Sequence, residues 1–299
     1  MIIVKLKGGL GNQMFQYALG RRLSLQYKTL LKLDLSHLKP NLFNILGITT
    51  LRNYALGEFN VRTRLARKED LPFLSRMPST RYNIYLNRIA ETFNSQSGRV
   101  VRELPCSYDQ NIKNVFGAGK NVYLDGFWAS EKYFKDIAPA IRRDFSLKKK
   151  MSFEAKKLAR QISRSNSVSI HIRRQDYVTN PNTRRFHGVC GLDYYLSCIR
   201  HIARNIPSPY FFVFSDDIDW AKENLKIKYP TVFVDHSGSD AEEIILMSLC
   251  KHNIIANSSF SWWGAWLNKN PGKIVVAPKT WFRARLGDKD IVPNKWVRI

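Results

Sequence analysis

The chain has 299 residues, and 48 Lys+Arg against 24 Asp+Glu give it a formal net charge of +24. Hydrophobic residues make up 44 %, enough to build one large or two medium domains, so disorder is not the default. The four cysteines (Cys106, Cys190, Cys198, Cys250) form no CxxC pair and argue against a disulfide scaffold or a zinc site of ordinary spacing.

Residues 2–6 (IIVKL) read as a short strand running into the turn Gly8-Gly9-Leu10-Gly11. Met14, Phe15, Ala18, Leu19 and Leu23 then recur at helical steps, with Asn12 as the N-cap. Residues 29–33 (TLLKL) give a second strand, so the chain opens like a doubly wound α/β domain. Residues 39–110 are less regular. Within them, residues 62–102 hold nine basic residues (Arg62, Arg64, Arg67, Lys68, Arg76, Arg81, Arg88, Arg99, Arg102) against Glu69, Asp70 and Glu91. Tyr82, Ile84, Tyr85, Leu86 and Ile89 are interleaved there. Residues 122–126 read as a strand and turn, residues 132–145 as a helix, and Lys148-Lys149-Lys150 as a boundary.

The second half alternates regularly. Helix 153–163 and strand 168–172 lead into a basic loop, followed by helix 193–206, strand 210–215 and helix 218–226. Strand 231–234, helix 240–249, strand 253–256, helix 260–267 and strand 273–277 complete it. Such alternation argues for a parallel sheet, whose ligands bind beyond the carboxyl ends of its strands. The N-terminus lacks signal-peptide organisation, and no run reaches the roughly 18 apolar residues of a membrane span. The chain reads as a cytoplasmic protein with an anionic partner: nucleic acid, a membrane surface or a phosphorylated substrate.

Four segments carry chemistry. An apolar strand delivers His171, Arg173, Arg174 and Asp176 at its end. Arginine clamps phosphate oxygens with paired donors, and Asp176 can hold one guanidinium in place. A solvated surface pair is the bland alternative. Alternation along an extended strand would put Arg173 on the face of His171 and Arg174 on the other. The buried run 211–214 likewise ends in Ser215, Asp216 and Asp217, where one acid can cap the helix starting at Ile218 while the other reads a guanine edge. Residues 254–264 read as strand, hydroxyl-rich turn and helix. Asn257, Ser258, Ser259 and Phe260 lie at its start, either as plain N-capping or as a phosphate site fed by free N–H groups and the helix dipole. The Gly8–Gly11 turn is neither a Walker A loop nor a GxGxxG fingerprint. It brings backbone at Gly11 close to a ligand, with Asn12 and Gln13 as amide hydrogen-bonders.

Together these segments resemble the inverting α-1,2-fucosyltransferases of glycosyltransferase family 11, of bacterial type. The matching pieces are GGLGNQMFQYA (residues 8–18), HIRRQDYV (171–178), FFVFSDD (211–217) and LMSLCKHNIIANSSFSWWGAWLN (246–268), with HGVCGLDYY (187–195) weaker. They follow the family's order from end to end, while residues 35–120 carry no matching motif. The resemblance implies an α/β GT-B fold of two Rossmann-like domains facing across a cleft. Residues 1–149 would lie on the acceptor side and residues 150–299 would bind the donor, GDP-fucose. It implies metal-independent transfer with inversion to the 2-hydroxyl of a β-galactoside, with no cofactor beyond the donor substrate. Arg173 and Arg174 would hold the diphosphate, Asp217 (or Asp216) would contact guanine, and His171 would lie against the nucleotide. Ser215 belongs with that edge, the serines of the 257–260 segment would contact the phosphates, and Asn12 and Gln13 would face the cleft. The catalytic candidates are Arg173, Arg174, Asn12, and as bases Asp176 and His187. Gln175 stands where many members have glycine, a departure that matters only if that position needs positive φ.

Two other readings compete. One is a nucleic-acid-binding protein, against which stands the lack of any helix-turn-helix, zinc-finger or RRM signature. The other is an enzyme of the same fold with another sugar nucleotide, linkage or acceptor. The basic stretch 62–102 is either a solvated face or a peripheral contact with anionic membrane. Residues 1–150 carry 26 basic and 11 acidic residues and residues 151–299 carry 22 and 13, so most of the excess charge lies outside the half with the arginine pair.

Overall fold

The computed structural model describes residues 1–38, 40, 50–72, 99–103, 108–115, 121–235, 238–284 and 287–299. Arg76, Arg81, Arg88, Glu91, residues 82–89 and Cys106 lie outside them. The chain divides into two units, Met1–Phe145 and Ser146–Ile299.

The first unit holds a five-stranded sheet built from β1 (Ile2–Lys5), β2 (Leu31–Asp34), β3 (Arg64–Leu65), β4 (Arg99–Arg102) and β5 (Val122–Asp125), in the order β3-β2-β1-β5-β4. All its pairings are parallel, with Ile2 opposite both Leu31 and Val122. The central strand buries Ile2, Ile3 and Val4 completely. Helix α1 (Leu10–Gln26) lies against it through Met14, Phe15, Ala18, Leu19 and Leu23. It approaches closely at Gly20, where a Cβ would meet Val4 Cγ2 at 2.5 Å. The helix starts earlier than Asn12. Gly9 is the N-cap, and its carbonyl accepts the Asn12 and Gln13 N–H groups, so Asn12 sits inside the first turn. Gly8, at φ +77, needs to be glycine, because a Cβ there would strike the Asn12 side chain. The second strand begins at Leu31 rather than Thr29. The predicted helix 132–145 is two 3₁₀ turns followed by α2 (Ala138–Asp144), since Pro139 is tolerated only where a helix begins.

The second unit opens with α3 (Phe153–Ser163) and β6 (Asn166–Ile172). The basic loop that follows contains α4 (Gln175–Thr179) and α5 (Pro181–His187). Next come α6 (Leu192–Asn205), β7 (Pro209–Ser215), α7 (Ile218–Asn224), β8 (Thr231–Phe233), α8 (Asp240–Leu249), β9 (His252–Ile254), α9 (Ser259–Leu267), β10 (Val275–Ala277) and β11 (Val297–Arg298). The six strands are parallel, in the order β11-β10-β9-β6-β7-β8. Val168, Ile170 and Ile172 point from β6 into one apolar layer with Tyr195, Cys198, Ile199 and Ile202 of α6. The alternate residues carry a buried polar brace on the other face. There Asn253 Nδ2 donates to Ser169 Oγ at 2.7 Å, and Asn268 Nδ2 donates to Asn253 Oδ1 at 2.8 Å. Helix α9 is apolar nearly all round (Trp262, Trp263, Ala265, Trp266), which suits a helix buried on every side. Only Ser259 and Phe260 at its start are half-buried. Among the described residues no helix is long and apolar enough to cross a membrane.

Candidate functional site

The strand order of the second unit reverses beside β6. Strands β6, β7 and β8 run outward on one side, and β9, β10 and β11 on the other. In open parallel sheets the ligand crevice lies at such a switch point, beyond the carboxyl ends of the two strands. Here those ends are Ile172 and Ile254; Arg173 and Arg174 follow the first, the segment Asn257–Phe260 follows the second, and Ser215, Asp216 and Asp217 follow the neighbouring β7. His171, Asp176 and His187 complete the set on this edge. Gly11, Asn12 and Gln13 belong to the other unit.

The two arginines are held differently. β6 ends before them, so side-chain alternation does not extend to Arg174, which is the N-cap of α4. Arg173 bonds Asp176 through Nη2, and its Nη1 lies 2.9 Å from Asp216 Oδ2. Its guanidinium also sits 5.4 Å from the Tyr177 ring centre. Burial alone would lower the Arg173 pKa, but Asp216 and Asp176 raise it above the ordinary value. Asp216 is also pushed up, by burial first, although Arg173 and the Arg174 N–H pull the other way. Its Oδ1 accepts that N–H at 2.8 Å. Among the described residues Arg174 bonds through Nε alone, donated to Asp217 Oδ2 at 3.0 Å, and its guanidinium lies 3.7 Å over the Trp220 ring. Asp217 does not cap α7 through its side chain. At 37 % side-chain exposure against 13 % for Asp216, it is the acid open to a ligand. Ser215 Oγ accepts the Asp217 N–H at 3.0 Å and fixes that turn.

Burial lowers both histidines. His171 is pushed down to about 3, by burial and then by Arg173, and its ring lies 5.4 Å from Phe260. His187 is lowered to about 4, by burial first, with Arg173 adding to the shift and Asp176 opposing it. Both are neutral near pH 7. His187 stacks on Tyr177 at 4.7 Å and packs against Phe282 at 5.5 Å. Asn257 is a strut: its Nδ2 donates to the carbonyls of His187 (2.9 Å), Gly188 (3.3 Å) and Trp281 (3.2 Å). Ser258 Oγ caps α9 by accepting the Phe260 N–H at 3.3 Å, which leaves other first-turn N–H groups to point from the helix start. Gln175 is the first residue of α4 and is not among the positive-φ residues, so glycine is not required there.

In the first unit, Gln13 is turned inward rather than outward. It is fully buried, donates to the carbonyls of Gly8 (3.0 Å) and Asn53 (2.8 Å), and accepts from Ala55 N (3.0 Å). Asn12 is half-buried and Gly11 buried. The sheet of this unit switches direction between β1 and β5, and sequence reasoning missed what lies there. Asp125 accepts from Lys5 Nζ at 3.2 Å and Lys7 Nζ at 3.0 Å, and Lys7 stands 4.7 Å over the exposed Phe127 ring. The next residue, Trp128, is buried at φ +57, a costly conformation for an aromatic residue. Glu103 holds that turn by accepting the Phe127 and Trp128 N–H groups at 2.5 and 2.8 Å. Strand β5 ending in a charged residue was the available signal. Trp220 beneath Arg174 had none.

The whole chain, residues 1–299, matches Glycosyl transferase family 11. It is 36 % identical to an alpha-1,2-colitosyltransferase of Escherichia coli over 100 % of this chain and 99 % of that protein. It is 32 % identical to the O-antigen biosynthesis glycosyltransferase WbnK of the same species, over 98 % and 99 %. Among solved structures, a point mutant of Arabidopsis thaliana FUT1 in complex with GDP superposes with a TM-score of 0.53 at 12 % identity, over 99 % of this chain and 75 % of that one, a likeness of fold. Two parallel α/β units with the polar ends of their strands at the switch points, and a family match from the first residue to the last, make this chain a GT-B protein of glycosyl transferase family 11.

Proposed function

We propose that the chain transfers L-fucose from GDP-fucose, with inversion, to the 2-hydroxyl of a terminal β-galactoside. The observation that carries this is the arginine pair that follows β6 at the β6/β9 switch point, on the strand edge from which α9 also starts. The acceptor oxygen attacks C1 of fucose, the bond from C1 to the β-phosphate oxygen breaks, and GDP leaves with added negative charge. Arg174 and the N–H groups at the start of α9 meet that charge, so the transfer needs no metal. Arg173 braces the site through Asp176 and Asp216. The hydroxyl proton goes to solvent or a weak base. Asp176 is tied to Arg173 and His187 is sandwiched between rings, so leaving-group stabilisation carries most of the catalysis. The first unit takes the acceptor, with the switch-point group Lys7, Asp125 and Phe127 beside its binding edge.

GDP is expected to raise the melting temperature of the purified chain clearly, and UDP not. Asp217→Ala lowers GDP affinity about 10–100-fold, the loss of a charged hydrogen-bond acceptor, and the melting temperature without ligand stays where it was. An equal response to UDP and GDP, or no response to either, defeats the reading.

The colitosyltransferase relative supports a second reading of the donor. Colitose is L-fucose without its 3-hydroxyl. A site that hydrogen-bonds this hydroxyl rejects the deoxy sugar by about 10⁴–10⁵, whereas one that ignores it takes both. Rates with GDP-fucose and GDP-colitose on lactose, N-acetyllactosamine, lacto-N-biose and galactosyl-N-acetylgalactosamine separate the cases. GDP-fucose is expected to give the higher kcat/KM, and a preference for GDP-colitose across the panel reverses the assignment.

A further inference from the structure

Strand β5 ends at Asp125, beside the switch point between β1 and β5, and the chain turns there at a cost. Trp128 takes φ +57, outside the range that suits an aromatic residue. Its ring is buried, and its indole Nε1–H has no hydrogen-bond partner among the described residues. A buried donor left unpaired is a second cost at the same residue. Such costs persist where the surroundings over-determine the backbone, and they gather at functional sites.

The turn sends two consecutive side chains opposite ways, Trp128 into the core at 1 % exposure and Phe127 outward at 43 %. Single exposed apolar side chains are ordinary, but Phe127 is held in place. Glu103 grips its N–H and that of Trp128. At Gly126, just before it, a Cβ would strike Glu103 and the Trp128 ring, so the turn has no slack. Lys7 Nζ lies over one face of the Phe127 ring at 4.7 Å. Lys7 is itself pinned, by Asp125 at 3.0 Å and by the buried Gln16 amide, which bonds both its N–H (3.0 Å) and its carbonyl (3.1 Å). With a cation over one face, the rest of the ring is the exposed part. An immobilised flat apolar ring among charged groups, at the carboxyl end of an interior strand, suits a molecule with an apolar face and polar edges. A pyranose is such a molecule. In a β-galactoside the axial 4-hydroxyl takes one face and the hydrogens on C3, C4 and C5 gather on the other. In a β-glucoside the 4-hydroxyl is equatorial and clears neither face in this way.

We propose that Phe127 is the stacking platform for the terminal galactose of the acceptor, and that it sets the preference for galactosides over glucosides. The strained Trp128 turn and the Glu103 carboxylate are its mounting. The inference deepens the proposed transfer and rests on it for the identity of the sugar.

Two measurements on the full chain test it. The first is saturation-transfer NMR with GDP bound and methyl β-D-galactoside or methyl β-D-glucoside as the probe. The galactoside is expected to receive saturation, most strongly at the protons on C3, C4 and C5, and the glucoside far less. The second is kinetics on lactose at saturating GDP-fucose. Phe127→Ala raises the acceptor KM about 10–100-fold. Its kcat changes by less than about 3-fold, as for a contact made equally before and during transfer, and the melting shift given by GDP stays the same. Phe127→Leu keeps apolar volume without the flat face and behaves as the alanine variant, whereas Phe127→Trp keeps the face and stays near the unaltered chain. Equal saturation of the two glycosides, or of neither, overturns the platform. Normal turnover with an unchanged acceptor KM in Phe127→Ala overturns it too, and leaves the transfer reading standing. A galactoside signal that is lost in Phe127→Ala, in a chain that transfers sugar to no acceptor, supports the platform and removes the transfer reading instead.

Discussion

Purified Arg174→Ala turns over about 100–1000-fold more slowly than the unaltered chain, and its melting temperature moves by no more than about 3 °C. Both halves of that expectation come from how Arg174 is held. Nε is committed to Asp217 and the guanidinium plane to Trp220. The two terminal nitrogens keep their donors, so in the proposed reaction they can take the charge of the leaving diphosphate without giving up either contact. An interaction that strengthens as the bond to C1 breaks lowers kcat and kcat/KM together rather than raising KM alone. The structural cost is small because the stranded partner, Asp217, is 37 % exposed, so water replaces what the arginine gave. Arg174→Lys falls in between, keeping the charge but losing the fork and most of the contact with Trp220. Near-native turnover in both folded variants removes Arg174 from the chemistry.

The parts of this site that were legible in the sequence share one trait. An apolar run changes abruptly to polar residues, at Ile172-Arg173, Phe214-Ser215 and Ala256-Asn257. In a parallel sheet such a change marks a carboxyl end, and the chain cannot bury those polar groups further in without unpaired hydrogen bonds. The alternation of strands and helices in the second half was legible for the same reason. Helices α4 and α5 were not. Their composition is polar and their lengths are five and seven residues, so no apolar stripe has room to repeat. The edge strands β3 and β11, two residues each, leave no period to detect. The start of α1 was missed because Gly9 caps through its backbone, whereas the residue that looked like a cap, Asn12, lies inside the first turn. Pairings over long sequence separations were closed to sequence reading altogether. Asp125 with Lys7, Asp216 with Arg173 and Trp220 under Arg174 depend on strand order. Strand order also gives two adjacent arginines unlike duties, which a dipeptide cannot show.

Arg173→Ala is the variant in which that difference becomes measurable. It is expected to lose activity as Arg174→Ala does, and also to melt about 5–10 °C lower. Removing Arg173 takes the guanidinium away from two carboxylates, Asp176 and Asp216, whose side chains are 19 % and 13 % exposed. Breaking one partner of a fully buried pair costs about 3–5 kcal/mol, and this partial exposure brings the figure down to roughly 2–3 kcal/mol. The pH dependence has a fixed sign. Burial already holds the Asp216 carboxyl above the usual carboxylate range against the pull of Arg173, and without Arg173 it rises further. A carboxyl raised in the folded state binds more protons folded than unfolded, so lowering the pH through that range favours the fold. The melting gap between Arg173→Ala and the unaltered chain therefore narrows as the pH falls from 7 toward 5. Arg174→Ala, whose stranded acid is solvated, shows no such narrowing. Arg173→Lys, which restores a cation without the two-carboxylate fork, regains much of the stability and little of the activity. A gap that stays constant with pH means that Asp216 is not the group Arg173 protects, and the bracing role then falls to its contact with Asp176 alone.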